Sequence, residues 1–130
     1  MNIFDIVFSS SETMLLVGAV FAFIGIALGA FGAHILKGKF KEEKYEKSWE
    51  TGCRYFMYNA FALLVVGLLL QEETASILQT AGILFIAGAA LFSGSLWALS
   101  VTGVRVLGAI TPIGGLLQLA GWVCLITYFM

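Results

Sequence analysis

Few side chains in the apolar stretches of this sequence could take part in chemistry. They are His34, Asn59, Ser93, Ser95 and Thr111, with Gln118 further along. An imidazole with an ordinary pKa near 6.5 can carry a proton. Asparagine and hydroxyl groups can only give and take hydrogen bonds. Such residues form either glue between helices or a site for a small solute, an ion or a lipid headgroup. Catalysis is hard to build from them. Every Asp and Glu lies in a tail or a connection, so no Ser-His-Asp set forms and His34 has no acidic relay partner. One histidine cannot make a metal site, and Cys53 and Cys124 are too far apart for a CxxC pair and read as small apolar fillers. Neither a P-loop nor a GxGxxG fingerprint before a strand occurs. The expectation is a protein that is not an enzyme and holds no cofactor and no metal.

The elements that must position these residues follow from composition. Of 130 residues, 60% are hydrophobic and 12% are charged, with a mean hydropathy of +0.97. A soluble domain carries roughly 25% charged residues, so this chain reads as one all-α domain, residues 1–130, in a bilayer. Four apolar segments of roughly 16 to 27 residues are long enough to span it: about Thr13–Leu36, Tyr55–Leu70, Ala75–Val101 and Leu107–Phe129. In the first, helical periodicity lines up Gly18, Ala22, Gly25, Gly29 and Gly32 as a packing stripe. Val17, Val20, Phe21, Ile24, Leu28, Phe31 and Ile35 form a bulky side for lipid, and Ala19, Phe23, Ala27, Ala30 and His34 a third side. That pattern predicts the central helix of a bundle. Gly82, Ala89 and Ser93 are the small packing positions of the third segment. Pro112, followed by Gly114 and Gly115, predicts a kink near Gly108–Thr111 in the fourth.

The amino terminus lacks the basic region of a signal peptide, so no cleavage is expected. Ile3, Phe4, Val7 and Phe8 suit a short interfacial turn, and Ser9 with Glu12 resembles a capping box. Lys37–Arg54 holds six basic and four acidic residues with Phe40, Tyr45 and Trp49. It reads as a short amphipathic helix on the membrane surface, with Glu43 and Lys47 as an i, i+4 pair. All seven Lys and Arg residues lie in this connection or at Arg105, between the third and fourth spans. The positive-inside rule then sets both connections in the cytoplasm and both termini outside. The polar residues fall within roughly 5 to 15 Å of the cytoplasmic surface, with Trp49, Arg54 and Arg105 as a rim. A faint parallel repeat pairs Phe31–His34 with Phe92–Ser95, and Thr51-Gly52 with Thr102-Gly103.

Four ordered motifs carry a resemblance. GAFGAH at Gly29–His34, WETGCRYFMYNA at Trp49–Ala60, LFSGSLWAL at Leu91–Leu99 and LGAITPIGG at Leu107–Gly115 resemble the small four-helix membrane family known as domain of unknown function 423, which is similar to transmembrane protein 256. Gly121-Trp122 adds to the match, which covers roughly Gly18 to Leu125. The resemblance implies a bacterial inner-membrane or organellar four-helix protein and carries over no catalytic residue. Where that family usually has histidine after the tyrosine of the second motif, this chain has Asn59, which cannot titrate near neutral pH.

The sequence therefore predicts a multi-pass protein of the bacterial cytoplasmic membrane, an accessory or structural bundle. Its partners would be membrane lipids, a second copy of itself or other membrane subunits. A net charge of -1 argues against nucleic acid. The alternative is an oligomeric transporter or channel that passes a small solute through the polar layer.

Overall fold

The computed structural model describes residues 10–130 and is all-helical over them. The interfacial turn predicted for Ile3 to Phe8, and Ser9, lie outside the described residues. Four helices follow one another: α1 (Ser11–His34), α2 (Glu43–Glu72), α3 (Ser76–Thr102) and α4 (Leu107–Phe129). Each is long and apolar enough to cross a membrane.

Local chemistry sets the helix ends. Ser10 caps α1: its Oγ accepts from the Thr13 backbone N–H at 3.1 Å and donates to the Thr13 hydroxyl at 2.7 Å. The cap therefore falls one residue later than the Ser9–Glu12 box predicts. Gly103 ends α3 with φ at 71°, and its N–H bonds to the Leu99 carbonyl. A left-handed cap of this kind suits glycine, which carries no Cβ to clash. The equivalence of Thr51-Gly52 and Thr102-Gly103 fails here, because Gly52 sits inside α2 and is buried.

The largest departure from the predicted elements concerns the charged connection. No separate surface helix precedes the second span, because α2 begins at Glu43 and runs unbroken for 30 residues. Within this connection only residues 35–42 are irregular. At 1.5 Å per residue α2 is about 45 Å long, against roughly 30 Å for a hydrocarbon core. Its first turns can therefore carry Glu43, Glu46, Lys47 and Glu50 beyond the oil without ending the helix. The predicted Glu43–Lys47 pair forms at 3.9 Å, and Lys44 meets Glu42 at 3.1 Å.

The main contacts join α1 to α2, α2 to α3 and α3 to α4, so each helix packs chiefly on its neighbour in sequence. The central helix is α2, not α1. Half of its apolar window is buried, against 17% for α1 and 22% for α4. At the end away from the charged connections, Met14, Leu63, Val66, Leu78, Phe85 and Leu125 form an aliphatic core with one phenyl ring. Toward the charged end, rings take over. Phe21 stacks on Phe56 at 4.4 Å between centroids, Phe56 lies 5.0 Å from Trp97, and Trp97 lies 6.1 Å from Trp49.

On α1, Gly18, Gly25 and Gly32 face inward as predicted, with Met14 on the same stripe. Ala22 is half-buried, and Gly29 differs: a Cβ built there would meet nothing within 4 Å. The outward face is the third side of the wheel, Ala19, Phe23, Ala27, Ala30 and His34, together with Leu16, Val20 and Ile26. Phe21 and Val17 turn inward because bulky residues beside a glycine stripe wrap the partner helix.

Candidate functional site

Packing decides what each polar residue can do. Ser93 on α3 is fully buried and its hydroxyl donates to the Gly52 carbonyl on α2 at 2.6 Å. Gly52 permits this approach, since a Cβ at that position would press on the Trp97 indole. Ser95 and Thr111 share a hydroxyl contact of 2.6 Å between α3 and α4. Ser95 Oγ also lies 2.9 Å from the Phe92 carbonyl, and Thr111 Oγ1 lies 3.3 Å from the Leu107 carbonyl. Gln118, also buried, donates from α4 to the Gly88 carbonyl of α3 at 3.4 Å. These side chains tie α2 to α3 and α3 to α4.

Asn59 and His34 behave differently from the expected layer. Asn59 is 2% exposed, and its amide donates to the Tyr55 carbonyl of its own helix at 2.8 Å. This bond stays within α2 and satisfies the Asn59 amide on a carbonyl one turn back. His34 is exposed on the outward face of α1 and joins none of these contacts. Helical rotation explains this: His34 lies two residues from Gly32, on another side of the helix.

The expected rim also divides. Trp49 is not a rim residue. It is 7% exposed, fits against Gly32 where a Cβ would clash with its indole, and donates from Nε1 to the Leu28 carbonyl at 2.9 Å. This indole latches the end of α1 to α2. Arg54 and Arg105 are exposed.

The feature that sequence reasoning missed is a cavity of about 590 Å³ on the open side of α3, between α2 and α4. From α2 it takes Tyr55, Tyr58 and Asn59, and from α3 Phe92. The α4 wall is Pro112, Gly115, Leu116, Gln118, Leu119 and Trp122. The cause is glycine and proline on α4. At Gly114 the backbone closes onto Phe92 and Gly88, whereas a Cβ at Gly115 would meet only the Phe92 ring at 3.8 Å. Tyr58, Leu116, Leu119 and Trp122 are all substantially exposed, so the groove opens sideways at the depth of the spans. The signal was present as Pro112, Gly115, Leu119 and Trp122 at three- and four-residue spacing on one helix. Among the described residues no cluster of His, Cys, Asp or Glu could hold a metal ion.

Comparison with known proteins agrees with this architecture. A family profile described as "Protein of unknown function (DUF423)" matches residues 28–115. The chain is 44% identical over 116 residues to the UPF0382 membrane protein YwdK of Bacillus subtilis, covering 88% of this chain and 94% of that one. It is 45% identical over 115 residues to the UPF0382 membrane protein SH2409 of Staphylococcus haemolyticus, covering 88% and 93%. A Staphylococcus epidermidis relative, the UPF0382 membrane protein SERP0230, is 46% identical over 115 residues. No solved structure matches.

Proposed function

We propose, since this chain belongs to the DUF423 family of membrane proteins, that it is an accessory membrane protein that holds a lipid chain in the groove between α2 and α4. One observation carries the reading: a cavity of about 590 Å³, walled by aromatic and aliphatic side chains, that opens toward the side rather than along the helices. Cavities of this size suit an apolar ligand with a few polar contacts. Burying a chain against Phe92, Leu116, Leu119 and Trp122 gains packing contacts that loose acyl chains make less well. Ser93, Ser95, Thr111 and Gln118 are committed to bonds between helices. That commitment favours a holding role over a solute path through the polar layer. The proposed role includes no catalytic step.

Native mass spectrometry of the full chain in mild detergent tests it. The expected result is at least one retained lipid per chain, lost in Gly115→Leu, which fills the groove. A wild-type chain that flies free of lipid, or one that fills the groove with a second copy, overturns the reading.

The same proposal keeps both connections on the cytoplasmic side and both termini outside, following the basic residues. An impermeant maleimide applied to intact cells should label Thr74→Cys and spare Lys39→Cys. The reverse pattern would invert the topology.

A further inference from the structure

We propose that the charged end of the groove is a site for an anionic phospholipid, its phosphate held by Arg105 and Lys44 and one acyl chain lying in the groove below. This rests on the lipid reading above and assigns the headgroup that it leaves open.

A second recess of about 310 Å³ is lined by Lys44, Tyr45, Ser48, Leu99 and Arg105. It stands in line with the groove. Ser48 precedes Tyr55 by two helical turns on the same side of α2, and Leu99 follows Phe92 by two turns on the same side of α3. The recess therefore lies about 10 Å toward the charged connections. At an intermediate height the Ser95–Thr111 contact joins α3 to α4, and neither residue lines either cavity.

Length supports the match. Arg105 and Trp122 mark the two ends of this track, and the helix between them spans about 25 Å. One leaflet, from headgroup region to midplane, measures roughly 20 to 22 Å. A basic pocket above an apolar groove of leaflet depth has the shape and polarity of one phospholipid.

Charge supports it too. Among the described residues Arg105 makes no ion pair, and its guanidinium presents donors that match phosphate in a fork. Lys44 has Glu42 as its partner, with both side chains more than half exposed, so exchange for a phosphate loses little. Tyr45 lies beside Gly103, next to Arg105 in the same turn, and gives the recess an amphipathic ring at interface depth. The acidic side chains near the start of α2 are Glu42, Glu43, Glu46 and Glu50; Glu43 faces Lys47, and Glu42 gives up Lys44 when the phosphate takes it, so Arg105 carries most of the headgroup charge. Basic recesses between spans on the cytoplasmic side are where anionic headgroups concentrate.

The full chain, offered equal mole fractions of phosphatidylglycerol and phosphatidylcholine, should retain the anionic lipid several-fold more often by native mass spectrometry. Arg105→Gln should cut that preference about fivefold, and Arg105→Lys should keep most of it. Phosphatidylglycerol brominated on its chains should quench the Trp122 part of the emission, assigned with Trp122→Phe, more than brominated phosphatidylcholine does. Glycerol 3-phosphate, which has the phosphate but no chains, should fail to displace the lipid. Equal retention of both lipids overturns the headgroup assignment and leaves the lipid reading intact. Retention of neither overturns both. Displacement by glycerol 3-phosphate overturns the joint use of recess and groove.

Discussion

Glycine opens space on both flanks of α2, and the two flanks use it in opposite ways. On the α1 side the openings are filled. Gly18 receives the Ala60 carbonyl and Leu64, Gly25 receives Met57, and Gly32 receives the Trp49 indole. On the α4 side Gly114 is likewise closed, against the Phe92 backbone, but Gly115 beside it faces a cavity. A glycine in a membrane helix therefore marks close approach only when the opposite helix supplies a residue that enters. Otherwise it marks a surface left open for something else. The seam with α1 is a structural joint, and the gap before α4 is where the proposed lipid chain would lie.

The sharpest way to break this contrast is a pair of adjacent substitutions. Gly114→Ala should force α3 and α4 apart, because the new methyl meets backbone that cannot rotate away. A loss of about 3 kcal/mol is expected in reversible unfolding in detergent. Gly115→Ala should be close to neutral in the same assay, since its methyl meets only a ring edge at ordinary contact distance. Equal effects of the two would erase the distinction between joint and gap. Next in size is Trp49→Phe, which removes the hydrogen bond to Leu28 and part of the ring that fills the Gly32 socket. About 1 to 2 kcal/mol should be lost, visible as faster proteolysis in the connection at residues 35–42. Ser93→Ala should cost about 0.6 to 1.7 kcal/mol, the range for a single bond between membrane helices. His34→Ala should leave the unfolding midpoint unchanged, because the ring faces outward. A large effect there would restore the polar layer in its original form.

How far the molecule could be read from its sequence depends on which signal a residue carries. Helix four begins at the predicted residue, since Arg105 and the glycine turn before it are clear breaks. The start of α2 was not legible. Charges at Glu43 to Glu50 end an apolar run without ending a helix, and only the axial reach of α2 beyond the oil reconciles the two. Height along the chain carries more of the signal, since Ser93 meets Gly52 and Ser95 meets Thr111 across neighbouring helices. Rotation was read less well. A wheel with three candidate faces does not say which of two flanking sides wraps the partner, so Phe21 and His34 exchanged their expected environments. The groove was least legible of all. It arises from how far α4 stands off from α2, a distance that no single helix's periodicity contains.

The order of contacts, each helix against its neighbour in the chain, has a consequence for biosynthesis. When α2 leaves the ribosome, the helix that it must meet is already in the membrane, and the same holds for α3 and then α4. Assembly can proceed hairpin by hairpin with short loop closures, and no strand of the path waits for a distant segment. Truncation after Thr102 should on this account still insert three tightly associated spans, while deleting α2 should strip α1 of its main partner and leave it the contact of Met14 with Gly82 and the core.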